Sequence, residues 1–156
     1  MKKLLKQINY SVFSVTTAFE DILNANIATW VMQSSMQGKM LVVALDKEDF
    51  TIELVKKSKI LNINLLASDQ TSLINKLGRK SGRDIDKFKK LNFKLDQRGC
   101  PILLDSIGYI QCEVEASIDS LDHEVFSCAV LKQITLNKDK ASLTINDLRE
   151  KKLVRG

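Results

Sequence analysis

The strongest constraint on the fold of this chain is a series of strand-like segments with little helix between them. Tyr10 to Thr17 alternates apolar and hydroxyl residues, and Gly108 to Ala116 alternates apolar and polar residues, which is the two-residue period of a half-buried strand. Further strand-like segments are Ile22–Met36, Met40–Leu45, Leu61–Leu66, Ile102–Leu104 and Val125–Leu136. Because regular βαβ alternation is missing, the order predicts a largely antiparallel barrel rather than a doubly wound sheet.

Two short helices are predicted between these strands. Asp49 is a suitable N-cap for a helix that begins at Phe50, since a side-chain oxygen at that position accepts a bond from the first helical turn. Asp69 is the predicted cap of a second helix from Gln70 to Leu77. The C-terminal Leu143 to Arg149 is predicted to be a last strand or turn.

The size and composition of the chain favour a globular protein of one domain, residues 1–156. Its 156 residues fall within the usual range of a single domain, and 44% hydrophobic with 28% charged residues is an ordinary globular balance. These values exclude an intrinsically disordered chain and a small disulfide-built scaffold. The 24 Lys and Arg residues exceed the 19 Asp and Glu residues, which gives a formal net charge of +5.

The sequence also predicts a cytoplasmic location. No segment approaches the roughly 18 consecutive apolar residues of a membrane span. The N-terminus begins like a signal peptide, but polar residues interrupt it from Gln7 and no cleavage site follows. Cys100, Cys112 and Cys128 are odd in number and widely spaced, so they predict reduced thiols rather than a zinc site or a redox dithiol.

A glycine-containing, basic segment is the first candidate for chemistry. In Ser81–Phe88, Gly82 permits a close backbone approach to a ligand, and Arg83 and Lys87 offer charge for a phosphate. The alternatives are a solvated charged loop, or a nucleic-acid patch formed by the nine basic residues between positions 76 and 98. Only Phe88 and Phe93 are interleaved with these charges, so base stacking is poorly supported.

Two further features carry polar chemistry. The segment around Trp30 contains several amide and hydroxyl side chains, which either face water or bind a polar ligand. These residues are Asn24, Asn26, Thr29, Gln33, Ser34 and Ser35. His123, the only histidine, follows Asp122 and is suited to stacking on a ring or moving a proton, although a lone histidine is more often a surface residue. No second acid or base is in view, so no hydrolytic triad is predicted.

Several segments resemble one protein family in order and spacing. Asn24–Met36 resembles a strand of the form N-A-x-T-A-S-W-x-x-Q-x-S, and Ser81–Phe88 is similar to S-G-x-D-x-D-K-F. Leu61–Leu66, Tyr109–Val114 and Asp122-His123 are similar to the strands F-V-V-N-V-L and Y-L-E-C-x-V and to the motif G-D-H. From Tyr10 to Leu136 the chain resembles the flavin-reductase-like, FMN-binding split-barrel family.

The resemblance implies a fold, a cofactor and a set of contacts. It implies a mainly β, antiparallel Greek-key split barrel with two or three short helices, forming a homodimer that binds one FMN, or FAD, per subunit. It also implies that the catalytic role near the nicotinamide of NAD(P)H belongs to His123. The residues that it implies for the flavin are Ala28, Thr29, Trp30, Ser34, Ser35, Lys47, Phe50, Thr51, Asn64, Ser81, Gly82, Lys87 and Phe88.

The implied function is that of an FMN-dependent oxidoreductase, in which electrons pass from NAD(P)H or a redox protein through the bound flavin. Alternatives are a non-catalytic flavin-binding barrel and, less favoured, a basic nucleic-acid-binding barrel. Three departures from the family pattern are Ile27 in place of threonine, Leu121 in place of glycine, and a turn without proline at residues 37–39. Together with the net charge of +5, these favour an acidic redox protein as the electron partner.

Overall fold

A computed structural model describes residues 3–154; the two residues at each end of the predicted domain lie outside the described part. Within that part the protein is mainly β, with an antiparallel seven-stranded sheet in the order β2-β1-β5-β8-β9-β4-β3 and a second sheet that pairs β6 with β7. The strands are β1 (Phe13–Phe19), β2 (Ile22–Ala25), β3 (Val31–Gln33), β4 (Met40–Asp46), β5 (Ile60–Leu65), β6 (Phe93–Leu95), β7 (Pro101–Leu103), β8 (Gly108–Ser120) and β9 (His123–Thr135). The helices are α1 (Phe50–Ser58), α2 (Ser72–Gly78), α3 (Ile145–Glu150) and a 3₁₀ turn at Leu4–Gln7.

The predicted long strand from Ile22 to Met36 is wrong, because the chain changes partner strands partway along it. The Asn26 amide oxygen accepts the N–H of Val15 at 3.0 Å, so a side chain takes part in the pairing with β1. Four residues later the carbonyl of Trp30 accepts the N–H of Ala44 on β4 at 3.0 Å. Strands β2 and β3 therefore follow one another in the chain but lie at opposite edges of the sheet. The sheet is not closed into a barrel, so the Greek-key split-barrel prediction is confirmed only as a mainly antiparallel β fold.

The capping pattern explains which helix predictions hold. Asp49 caps α1 as predicted, its carboxylate accepting the N–H of Thr51 at 3.3 Å. The prediction that Asp69 caps the second helix is wrong, because α2 begins later, at Ser72, without a side-chain cap. The prediction of a strand or turn at the C-terminus is also wrong, because Thr144 and Asp147 form a reciprocal capping box that starts α3.

The described residues form two apolar cores. The first is formed by the inward faces of β1, β4, β5, β8 and β9 together with Ile52 and Val55 of α1. The second packs α2 and α3 against Val12, Leu66 and Phe88. The three cysteines are free and buried, and burial raises the pKa of Cys100 to about 12 and that of Cys128 to about 12. None of the helices described is long and apolar enough to cross a membrane.

Candidate functional site

A polar cleft of about 260 Å³ lies between the start of α1 and the end of α2. One wall is the turn that leaves β4, from Asp46 to Phe50, and the other is the segment Leu77–Arg83. The turn exists because β4 ends at a charged residue and Asp49 then caps α1. The cleft therefore brings together Phe50 and Ser81, two of the residues that the resemblance implies for the flavin.

Next to the lining residues Phe50, Ser81 and Arg83 lies a tightly packed group that we call the cradle: Asn24, Thr51 and Gly82. The Asn24 amide donates to the Thr51 hydroxyl at 2.9 Å, and both side chains are buried. The Asn24 Oδ1 atom is buried and has no hydrogen-bond partner among the described residues. A Cβ atom on Gly82 would overlap this oxygen and approach the Phe50 ring to 3.2 Å. Glycine is thus required for the backbone at position 82 to lie directly against the side chain of Asn24.

Three cations line the cleft and face three acids. The Arg83 guanidinium lies 5.0 Å from the centre of the Phe50 ring and forms an ion pair with Glu53 of α1. Ser81 accepts the N–H of Arg83 at 3.1 Å, which shapes the turn between them. The lining charges are Arg79, Lys80 and Arg83 on one wall and Asp46, Glu48 and Asp49 on the other. The wall formed by the segment after α2 is therefore positive, and it suits an anionic group.

The second group of predicted residues lies at the tip of the β8–β9 hairpin. The rings of Trp30 and His123 are 4.9 Å apart, and 50% of Trp30 is exposed. His123 Nδ1 lies 2.8 Å from a carboxylate oxygen of Asp122, and this bond lowers the pKa of Asp122. Since an ionised carboxylate only accepts, Nδ1 carries a proton. Nε2 of His123 is therefore the ring nitrogen that Asp122 leaves unengaged.

The turn at the hairpin tip explains why the family pattern has glycine where this chain has Leu121. The φ angle of Leu121 is 58°, the left-handed conformation that glycine adopts without strain. Asp119, two residues before Leu121, forms an ion pair with Lys47, and this pairing lowers the pKa of Asp119. Lys47 also donates its backbone N–H to the carbonyl of Asp122 at 2.9 Å. Lys47 is therefore bound to the hairpin and does not line the cleft.

Asp46 connects the two groups. It lines the cleft and is the cross-strand partner of His123 in the pairing of β4 with β9. A smaller apolar cleft of about 180 Å³ adjoins the first through Gly78 and Arg79, and Thr29 lies in its wall. The predicted residues Thr29, Trp30 and His123 thus flank the region of the polar cleft rather than lining it.

Four predicted residues are buried away from the cleft surface. The Lys87 ammonium is bonded to two backbone carbonyls, and Phe88 packs in the second core. Asn64 donates to the carbonyl of Ser14 at 3.0 Å and accepts the N–H of Leu103 at 3.0 Å, so its amide joins β5 to β1 and β7. Ala28 exchanges two 2.8 Å backbone bonds with Phe13. Each of these four residues supports the fold around the cleft without lining it.

Ser34 and Ser35 lie in the turn between β3 and β4. The N–H of Ser34 donates to the carbonyl of Met40 at 3.1 Å, and the carbonyl of Ser35 accepts from the Gln33 amide at 2.6 Å. This turn borders a separate apolar cavity of about 150 Å³, whose lining includes Gln33, Gly38 and Met40. Among the described residues that line the polar cleft, neither serine is present.

The motifs assign no cofactor-binding role to Asn24, Arg79 and Lys80. In the sequence Asn24 is only one polar residue of a strand, and its position beneath Gly82 depends on residues 58 positions apart meeting in space. Arg79 and Lys80 belong to the basic run, which a solvated loop explains equally well. The sequence feature that could have pointed to these two cations is their position directly after Gly78, the glycine that ends α2.

Comparison with known proteins gives a family match over most of the chain. Residues 5–150 match the family described as "Flavin reductase like domain". The high molecular weight rubredoxin of Moorella thermoacetica is 30% identical over 126 residues, which is 80% of this chain and 55% of that protein. A putative diflavin flavoprotein A 2 of a Nostoc species is 30% identical over 132 residues, 83% of this chain and 23% of that protein. The chain therefore spans only part of the length of these relatives.

Solved structures agree in fold at lower identity. A homologue of nitrilotriacetate monooxygenase component B from Mycobacterium thermoresistibile has a TM-score of 0.81 at 21% identity, covering 90% of this chain and 78% of that one. A putative flavin reductase from Haemophilus somnus has a TM-score of 0.80 at 22% identity, covering 90% and 88%. At these identities the likeness establishes the fold alone.

Proposed function

The chain belongs to the flavin reductase-like family, and on that premise we propose that it is a flavin-dependent oxidoreductase whose flavin binds at the polar cleft. The observation that carries this proposal is the cradle, in which the buried Oδ1 of Asn24 lies unpartnered among the described residues and Gly82 lies against it. An enzymatic role is favoured over a storage role because Trp30 and His123 form a half-exposed aromatic pair beside the cleft. We expect FMN, with FAD as the alternative.

The residues present fit a phosphorylated, ring-bearing ligand. Asn24 is buried against Gly82 and does not line the cleft, so its role is to seat the backbone that carries Ser81 and Arg83 at the cleft wall. The cations Arg79, Lys80 and Arg83 supply the charge that a phosphate requires, and the adjoining apolar cleft offers a wall for a flat ring.

Each side chain has a distinct proposed task. Ser81 and Arg83 bind the anionic end, and Thr51 holds the Asn24 amide so that its oxygen remains directed at the backbone of Gly82. Trp30 excludes water from the ring end and provides the surface against which His123 is oriented. A bound flavin would supply two-electron chemistry with NAD(P)H, and the protonated Nδ1 of His123, fixed by Asp122, leaves Nε2 available to a nicotinamide substrate.

The test is the visible absorption spectrum of the purified protein, followed by anaerobic addition of NADH and NADPH. We expect a yellow protein, or one that becomes yellow with added FMN, whose absorbance is bleached by one of the two donors. A protein that binds neither FMN nor FAD would overturn the proposal. A yellow protein that neither donor bleaches would instead favour electron delivery by another protein.

Electron delivery by another protein is favoured by the positive net charge of the chain. The formal net charge is +5, and relatives include a rubredoxin and diflavin flavoproteins of which this chain spans only part. An acidic electron carrier would be attracted to a surface of this sign. Its rate of electron transfer should then fall as ionic strength rises, whereas a rate independent of salt would exclude electrostatic docking.

We also propose that the protein is a homodimer of split barrels that pairs through the outer face of β3, β4, β8 and β9. Cross-strand pairing places Ile118, Val125 and Ala44 in one row, which Trp30 extends through its bond to Ala44. Met32 lies in the next row, and the large side chains at the ends of both rows are exposed. Such a patch is typical of an interaction site.

The proposed dimer is tested by a charge placed in this patch. Ile118→Glu should shift the mass measured by light scattering from dimer to monomer, and a monomeric wild-type protein would refute the pairing.

A further inference from the structure

The segment 79–92 has to hold a precise position without regular secondary structure. It joins α2 to β6, contains no helix or strand, and presents Ser81 and Arg83 to the polar cleft, with Gly82 between them packed against Asn24. Most of its side chains are exposed or half-exposed, and within the segment only Lys87 and Phe88 are buried. A loop with so little buried surface opens locally unless it is anchored. Arg79 also donates to the carbonyl of Leu153, and Arg83 binds Glu48 and Glu53, but these contacts are open to solvent and easily replaced by water. Lys87 and Phe88 are therefore the two anchors that the loop places in the interior.

Lys87 is the polar anchor. Only 3% of the residue is exposed, and its ammonium donates to the carbonyl of Ala25 at 2.7 Å and to the carbonyl of Leu77 at 2.8 Å. Ala25 is the last residue of β2, and Leu77 lies in the last turn of α2 and lines the cleft. The last carbonyls of a helix have no partner within the helix, and a cation there is favoured by the helix dipole. One side chain thus ties the loop to a strand end and to a helix end.

The buried charge of Lys87 is only partly offset by a carboxylate on the other wall of the cleft. Burial lowers the pKa of Lys87, and the carboxylate of Asp49 acts in the opposite direction. Asp49 is the residue that caps α1 at the opposite wall of the cleft. The ammonium therefore bonds directly to Leu77 on one wall and is influenced by the charge of Asp49 on the other, although it does not itself line the cleft.

Phe88 is the apolar anchor, and it cannot replace Lys87. Its ring packs in the second core and lies 4.9 Å from the ring of Phe93 in an edge-on arrangement. Apolar burial is not directional, so it keeps the loop near the core without fixing its orientation. Hydrogen bonds are directional, and the two bonds of Lys87 determine where the preceding residues point.

We propose that Lys87 is a positioning residue for flavin binding, whose two carbonyl bonds fix the segment 79–92 so that Ser81 and Arg83 line one wall of the cleft. The role rests on the proposed function, since it assigns the use of that wall to the flavin. It also differs from a direct contact: Lys87 acts on ligand affinity through the backbone. Flavin affinity should therefore depend on Lys87, while turnover of the fully loaded protein should not.

The experiment compares Lys87→Met with Lys89→Met, a matched loss of an exposed ammonium two residues away. The first readout is hydrogen exchange of residues 79–86 in flavin-free protein. The second is the Kd for FMN, and the third is the rate of flavin reduction at saturating FMN. For Lys87→Met we expect faster exchange in this segment, an FMN Kd raised by about ten- to a hundredfold, and a saturated rate within about threefold of wild type. Lys89→Met should match wild type in all three.

Unchanged exchange in Lys87→Met would overturn the proposal, and so would a loss of rate at saturating FMN as large as the loss of affinity. If Lys87→Met does not fold, Lys87→Gln, which keeps one donor group, is measured with the same readouts and should give smaller changes of the same sign. If the wild-type protein binds no flavin, the proposed function fails. The exchange measurement then still decides whether Lys87 fixes the loop.

Discussion

The cradle and the hairpin tip lie near one another in the candidate site but are held together in different ways. In the cradle, Asn24 and Thr51 are buried and the backbone of Gly82 lies against them with no room for a methyl group. At the hairpin tip, His123 and Lys47 are held by acids that are largely exposed to solvent. Close packing cannot be relieved by water, whereas exposed ion pairs are screened and replaceable. Substitutions in the cradle should therefore cost far more than those at the tip.

The largest effect is expected for Gly82→Ala. The added Cβ overlaps the Asn24 oxygen and crowds the Phe50 ring, so the loop must move outward. We expect a loss of about 1–3 kcal/mol in the free energy of unfolding, as for other overpacked sites, and FMN affinity reduced by at least about tenfold. Denaturant titration and flavin titration measure the two effects.

Gly99→Ala is the control for backbone strain without crowding. Gly99 has a φ angle of 81°, but a Cβ atom added there would meet no neighbouring atom within 4 Å. The substitution should reduce stability by about 1 kcal/mol and leave FMN affinity unchanged. If Gly82→Ala affects flavin binding no more than Gly99→Ala does, the cradle is not part of the flavin site.

Thr51→Val should have the second-largest effect. The substitution keeps the shape of the side chain but removes the acceptor of the Asn24 amide, which leaves a second buried polar atom without a partner. The expected cost is about 1–3 kcal/mol of stability, with FMN affinity weakened because Asn24 loses its orientation. Thr16→Val is the matched control, since it removes a buried hydroxyl that bonds the carbonyl of Pro101 at 2.6 Å. Equal losses of FMN affinity in the two variants would contradict the role of Thr51.

The same contrast explains what the sequence can predict. The sequence indicates a mainly antiparallel β fold and the Asp49 cap of α1, because the two-residue period and the cap depend on local patterns. The sequence does not reveal that Lys87 of the segment Ser81–Phe88 turns inward. Whether an ammonium faces a ligand or a carbonyl depends on how Ala25 and Leu77 are arranged in space.

Long-range polar contacts account for the other differences as well. Asn64 resembles a cofactor contact in the sequence, yet its amide is fully used between β1 and β7. The break in the predicted strand at Asn26 arises because a side chain can pair with the backbone of β1 as a peptide group does. A two-residue period identifies which residues are buried but not which partner a buried amide finds.

His123→Ala should have an intermediate effect, confined to turnover. Flavin should remain bound within about threefold of the wild-type Kd, because His123 does not line the cleft. Reduction by NAD(P)H should slow by roughly tenfold, about 1.4 kcal/mol in the barrier. Stopped-flow reduction under anaerobic conditions measures the rate, and Asp122→Asn, which alters only the partner of Nδ1, should give a smaller loss. Equal reduction rates for wild type and His123→Ala would place the nicotinamide elsewhere.

The smallest effect is expected at the ion pair of Lys47 and Asp119. Both groups reach solvent, so Asp119→Asn should change the FMN Kd by less than about threefold, with the difference vanishing at high salt. Asp139→Asn, at an exposed aspartate in the turn after β9, is the control. A change in Kd as large as that of Gly82→Ala would show that the hairpin tip is as strictly constrained as the cradle.

The pH dependence of this pair completes the comparison. The bond to Lys47 lowers the pKa of Asp119 below its ordinary value, so the folded state favours the ionised carboxylate. The pair is therefore fully present above the unfolded pKa of an aspartate, near about 3.9, and is lost as the pH falls through the lower folded-state value. Amide hydrogen exchange at the hairpin tip, expressed relative to the intrinsic exchange rate at each pH, should therefore accelerate only below the folded-state pKa of Asp119. The cradle contains no ionisable side chain, so its exchange should show no such step, and a step at both places would mean that the two regions open together.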